Sequence, residues 1–181
     1  MSSPQDWVGV AGRYEAFFGD SYASNGTRGA KSAAKWDSTV YYETPNWGGL
    51  NMGLALQAGP GERKDARGLH VGCASGPLSF MATHQIEQDP TAGASASDGM
   101  KTTTLGAFYD FGVIKPMFLW SRETKNSSNI TATQIGFTAP IGAGQLRASY
   151  GYYNSSNSNA DWTKASLGYG YNFSRRTQVY G

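Results

Sequence analysis

Cysteine is almost missing from this chain, and long apolar runs are missing altogether. Among 181 residues Cys73 stands alone, which excludes a disulfide framework and a cysteine-based metal site. No stretch approaches the roughly 20 apolar residues that a membrane-crossing helix requires, so a helical membrane protein is excluded as well. Neither sign of charge dominates. Fifteen Lys and Arg against 13 Asp and Glu leave +2, and the cations are scattered rather than gathered into a nucleic-acid surface. Metal-ligand spacing, a phosphate-cradling loop and a nucleophile elbow are all lacking, so neither a cofactor nor an enzymatic activity is expected. Leu and Ile are sparse, whereas Gly supplies 24 residues and aromatics 13%. Such a composition suits strands that are apolar on one face and argues against a helical fold.

What the chain does have is alternation. In the stretch Ser38 to Ala58, Leu50, Met52, Leu54 and Leu56 take one register, and Asn51, Gly53, Ala55 and Gln57 take the other. Period two puts the two sets on opposite faces of a sheet. Pro45-Asn46 and Gly48-Gly49 supply turn chemistry just before it. The same pattern recurs, with strands expected near 36–44, 49–58, 66–75, 77–87, 101–111, 113–122, 130–139, 144–153, 162–172 and 175–181. Lengths near ten residues exceed those of ordinary soluble strands and match tilted membrane-spanning ones.

The connections sort by length. Pro45–Gly48, Ser75-Gly76, Gly112, Pro140–Ala143 and Phe173-Ser174 are short; Gly59–Asp65, Gln88–Met100, Glu123–Asn129 and Asn154–Asp161 are longer and polar. Short and long alternate along the chain, as in an antiparallel up-and-down transmembrane barrel with turns at one end and loops at the other. A Greek-key sandwich has no reason to sort them so.

On the apolar register Tyr42, Tyr109, Phe111, Tyr169 and Tyr171 gather near the short turns, with Trp36 and Trp120 near the long loops. Two aromatic girdles around a band of smaller apolar residues mark two lipid–water interfaces. Trp162 breaks the pattern, since its parity points inward. Glu43, Lys115, Arg147 and Lys164 fall on the inward register. A lipid-facing Lys or Arg at midplane costs about 2–4 kcal/mol, which drives Lys115 and Arg147 toward the water-filled side. Each of these charges is either a simple solvated group or one that tunes the passage of ions. Cys73 shares the apolar register with Leu69 and Val71 and is expected to be a buried, inert thiol. His70 and His84 have no activated Ser context and read as structural rather than catalytic.

Residues 1–35 show no period. Glycines and a short aromatic cluster, Tyr14, Phe17 and Phe18, mark an irregular segment, and a loop of this length usually has a function. The start has neither the basic region nor the apolar core of a secretory signal. Either the protein is cytoplasmic or the chain is a fragment without its beginning, and the strand pattern favours the second.

At this point the residues are recognisable. The run from Ser38 through Tyr41-Tyr42-Glu43 to Pro45-Asn46-Trp47-Gly48-Gly49 resembles a strand–turn–strand signature of the Gram-negative general porins, the trimeric outer-membrane group typical of beta-proteobacteria. Ser75-Gly76-Pro77-Leu78-Ser79, the run from Tyr109 to Val113, the run from Pro140 to Gly144, and the run from Tyr171 to Tyr180 resemble it too. The resemblance covers 36–181. It implies part of a sixteen-stranded barrel, about ten strands of it, lacking the first strands and the last. Residues 36–181 would be strands with short periplasmic turns and long extracellular loops, and residues 1–35 part of a constriction loop folded into the lumen. Arg13, Glu15 and Asp20 would be the charges of that loop, facing the wall cations. The implied protein is a homotrimeric channel in the outer membrane of a Gram-negative bacterium, in contact with lipid bilayer and lipopolysaccharide. It would pass ions and small hydrophilic solutes by diffusion. The alternatives are a non-transporting barrel, an adhesin or receptor displaying its loops, and a soluble all-β binding protein.

Overall fold

The computed structural model describes residues 13–17, 38–57, 66–87, 100–125, 128–156, 161–174 and 177–181. Ten strands form one sheet: β1 (Thr39–Glu43), β2 (Leu50–Gln57), β3 (Arg67–Ser75), β4 (Leu78–Glu87), β5 (Met100–Tyr109), β6 (Lys115–Lys125), β7 (Ser128–Ile141), β8 (Gly144–Ser155), β9 (Trp162–Ser174) and β10 (Thr177–Tyr180). Their spatial order is their chain order, and every pairing is antiparallel. Among the described residues β1 and β10 are not paired with each other. No helix among them is long and apolar enough to cross a membrane.

All ten expected strands are present, and their ends differ in several places. The strand expected to reach Phe111 stops at Tyr109. Asp110 Oδ1 accepts a hydrogen bond from the Gly112 amide at 2.8 Å, Gly112 takes φ +81°, and the Phe111 amide donates to Ile114 O at 3.0 Å. That local closure removes 110–114 from the ladder. Glu123–Asn129, expected to be a long polar loop, is largely strand: Thr124 pairs with Asn129 and Lys125 with Ser128. Strict alternation of short and long connections therefore fails at β6–β7. Asn/Ser composition signals a turn but does not say how tight it is. Finally, the first strand begins at Thr39 in the structure, and Trp36 lies outside the described residues.

The two faces separate as the period requires. Val40, Leu54, Leu56, Leu105, Ile135, Tyr150 and Leu167 are exposed on one of them. His70, Ser79, Thr83, Gln85, Thr102, Thr104, Ser121 and Gln134 are buried on the other. Burying polar side chains while leaving leucines bare inverts a soluble sandwich and matches a barrel wall with acyl chains outside. Outward aromatics cluster near the turns: Tyr109 and Phe111 rings lie 4.5 Å apart, Tyr171 and Phe173 rings 5.0 Å apart. Tyr169 caps its end by donating to Ile141 O at 2.9 Å, the amphipathic placement that an interface favours. Cys73 is not buried; it is partly exposed on the outward register, between Leu50 and Phe80. An apolar register buries nothing in protein when its natural cover is lipid.

Candidate functional site

The inward face begins with small and polar residues, and the registers line them into rows across the sheet. Thr83, Thr104 and Ser121 are successive partners on β4, β5 and β6, with Thr104 Oγ1 and Ser121 Oγ 3.1 Å apart. Tyr153 on β8 and Trp162 on β9 are partners too, and their rings stack at 3.7 Å and 3°. Trp162 does point inward, and the stack explains why an indole tolerates that side.

One part of the inward face is apolar. Met81 on β4, Phe108 on β5, and Met117 and Leu119 on β6 form a patch against which residues 14–17 pack. Tyr14 OH lies 3.0 Å from Ser79 Oγ, and its ring meets Phe108 at 5.5 Å and a 40° tilt. Gly106 lies directly under Tyr14: a Cβ there would collide with the tyrosine ring. Gly168 approaches Phe17 closely, so that an added Cβ would come within 3.0 Å of its Cε1. Tyr14, Ala16 and Phe17 are all buried. Each large side chain buried this way contributes about 1.5–3 kcal/mol, enough to hold a short segment on the wall.

The charges expected inward are divided among three places. Lys115 on β6 and Arg147 on β8 both pair with Thr138 of β7, so they stand in one row, two strand spacings apart, about 10 Å. Lys115 Nζ sits 3.9 Å from the centroid of the Phe108 ring, a cation–π contact that steers its ammonium toward the apolar patch. Arg147 Nε donates to Gln145 Oε1 at 3.1 Å. Lys164 pairs with Gly151 further up β9. Glu43 is remote from all three. Its Oε1 accepts from Asn51 Nδ2 at 3.0 Å and lies 3.8 Å from Nε2 of the buried His70. His70 Nδ1 in turn lies 3.0 Å from Tyr41 OH. In the 13–17 segment Arg13 is exposed and Glu15 is buried; Asp20 lies outside the described residues.

Sequence reading missed the Tyr41–His70–Glu43–Asn51 cluster. Register was the only signal that could have found it, because Gly53 pairs with both Glu43 and His70. His84 faces outward, its Nδ1 2.8 Å from Thr103 Oγ1. The two histidines therefore occupy opposite faces and do not share a site. No group of three or more metal-ligating side chains occurs among the described residues.

A meander of long tilted strands, greasy outside and polar inside, with charges and an aromatic-anchored segment on its inner wall, defines an outer-membrane β-barrel. The whole chain, residues 1–181, matches the Gram-negative porins, and the protein belongs to that family. It is similar to outer membrane porin protein 32 of Delftia acidovorans, 29% identical over 158 residues covering 80% of this chain and 44% of that one. The anion-selective porin from Comamonas acidovorans superposes at TM-score 0.64 with 25% identity, over 78% of this chain and 46% of the other. An OmpT variant of Vibrio cholerae lacking loop L8 shares the fold at TM-score 0.69 and 20% identity, over 99% of this chain and 66% of that one. The chain thus spans about half the length of the relatives it matches. Its place is the outer membrane of a Gram-negative bacterium.

Proposed function

We propose that the full-length protein forms a water-filled channel through which ions and small hydrophilic solutes diffuse passively, with anions favoured. The observation that carries this reading is the row Lys115–Thr138–Arg147 on the inward face. Two cations about 10 Å apart on a wall of hydroxyls and glycines raise the local concentration of anions without binding them tightly enough to stop them. The name of the Comamonas relative, an anion-selective porin, points the same way.

In this reading residues 1–35 belong to a loop folded into the lumen, and the packing of 14–17 on the inner wall supports it. Arg13 at the exposed edge of that segment and the wall cations then border the narrowest point. The strands would then be part of a sixteen-stranded tube, assembled as a homotrimer in lipid and lipopolysaccharide. The protein is a conduit rather than an enzyme.

Planar-bilayer recording of the full-length protein tests this. Stepwise currents that close in threes, with a reversal potential displaced toward the anion in a salt gradient, are expected. Absence of conductance from correctly folded protein would leave a barrel that displays loops and transports nothing.

A further inference from the structure

On the inner wall the Tyr41–His70–Glu43–Asn51 cluster has no part in the cation row. Gly53 lies at its centre. It pairs with Glu43 on one side and with His70 on the other, which sets their backbones two strand spacings apart, about 10 Å. Because Gly53 carries no side chain, the two arms converge above it. A Cβ there would strike the His70 ring and come within 2.6 Å of the Tyr41 hydroxyl. Register alone builds this cluster, from three strands and close to the turn at 44–49.

Its chemistry is that of a ligand pair. His70 is 1% exposed, and its Nδ1 lies 3.0 Å from Tyr41 OH. The other ring nitrogen, Nε2, is buried without a hydrogen-bond partner among the described residues and lies 3.8 Å from Glu43 Oε1. That is too far for a hydrogen bond. In the tautomer whose Nδ1–H donates to Tyr41, Nε2 carries a bare lone pair beside a carboxylate. Two electron-rich atoms at such a separation both gain from a cation between them. A divalent ion about 2.1 Å from each donor, at the tetrahedral angle, holds the two donors about 3.4 Å apart. A small turn of the Glu43 side chain closes the observed 3.8 Å to that span.

The surroundings suit an ion as well. A histidine that ligates a metal through one nitrogen is ordinarily oriented by a hydrogen bond at the other, and Tyr41 OH fills that role. Asn51 Nδ2 donates to Glu43 Oε1 at 3.0 Å, which fixes the carboxylate in its turn. The Glu43 side chain is 38% exposed, so water reaches the pair from that side. An imidazole joined with a carboxylate suits first-row transition ions such as Zn²⁺ better than Mg²⁺ or Ca²⁺, which prefer oxygen donors alone.

We propose that His70 Nε2 and the Glu43 carboxylate form a binding site for a divalent transition-metal ion of the Zn²⁺ class on the inner wall, with Tyr41 and Asn51 orienting the two ligands and water completing the shell. Two protein ligands make a weak, exchangeable site, suited to an ion that comes and goes rather than one that holds the fold. The site is separate from the Lys115–Arg147 row and does not depend on it.

The test uses untagged, metal-stripped full-length protein in detergent. Calorimetric titration with Zn²⁺ should show one ion bound per chain, and millimolar Mg²⁺ should not displace it. H70Q and E43Q should each lower the affinity at least about tenfold, the loss that even an outer-shell partner causes. H84Q, on the outward face, should leave it unchanged. Glu43 stands at an exposed strand end, so E43Q keeps the result readable if H70Q folds poorly. Cu²⁺ gives a second readout: its electron paramagnetic resonance spectrum should carry the splitting of a bound imidazole nitrogen in wild type and H84Q, and lose it in H70Q. Absence of Zn²⁺ binding up to millimolar concentration would overturn the proposal and leave the pair to a water or a proton. So would wild-type affinity in both H70Q and E43Q, or displacement of Zn²⁺ by equimolar Mg²⁺. A loss in H84Q as large as that in H70Q would mark adventitious binding to histidine and overturn it too.

Discussion

The Tyr14 hydroxyl meets the Ser79 hydroxyl at 3.0 Å across 65 positions of chain, pinning an irregular segment onto the inner surface of β4. Removing only that hydroxyl, as Tyr14→Phe, should cost about 1 kcal/mol of local stability. Tyr14→Ala, which also empties the space over Gly106, should cost about 3 kcal/mol. Limited proteolysis in detergent reads the difference: cleavage around residues 13–17 should rise modestly in the first variant and strongly in the second, with the strands intact. Gly106→Val should resemble the alanine variant, since its side chain would occupy the place of the tyrosine ring.

Orientation of the faces makes a sharper demand. Leu167 is 75% exposed on the outward face, and Lys164 lies on the same strand facing in. Leu167→Lys should destabilise the inserted protein by about 2–4 kcal/mol if the site is near the bilayer midplane. Ser166→Lys, one residue away and inward, should cost little. Denaturant titrations in lipid vesicles compare the two directly, and equal penalties would contradict the assigned faces.

Reversing the row on the wall should reverse its preference. Lys115→Glu with Arg147→Glu replaces two cations by two acids beside the same Thr138, and the anion-to-cation permeability ratio should fall several-fold. Reversal potentials in a salt gradient measure it. Because Lys115 also lies over the Phe108 ring, Lys115→Gln alone should slightly loosen the 14–17 segment as well, visible in the proteolysis assay.

Cys73 offers a probe of the outer surface. Partly exposed on the apolar register, it should react with a membrane-permeant maleimide and resist a charged, water-borne one once the protein is in vesicles. In detergent solution the discrimination should shrink. A thiol labelled readily by the charged reagent in vesicles would place that register in water.

Much of this architecture could be read along the chain. The alternation of Leu146, Ala148, Tyr150 and Tyr152, and of Ala165, Leu167, Tyr169 and Tyr171, fixes β8 and β9 because strand parity is a purely local property. Parity puts Lys115 and Arg147 on the inward register for the same reason. Local signals failed where two residues far apart decide the outcome. Composition over 123–129 marked a long polar connection but could not show the ladder running on to Lys125 and Ser128. Phe108, Met117 and Leu119 interrupt the polar register because they are the apolar floor under Tyr14 and Phe17, a contact that no window of sequence contains. The partnership of Glu43 with His70 has the same character, since it exists only once β1, β2 and β3 lie side by side.

The order of the sheet has a consequence for ancestry. Each strand bonds only to the one before it and the one after it, so a hairpin is a self-contained unit whose copying or loss leaves every other pairing intact. Circumference grows roughly in proportion to strand number. Tube width in such a protein is therefore a quantity that a gene can alter in whole hairpins, by duplication or deletion, without inventing a new core.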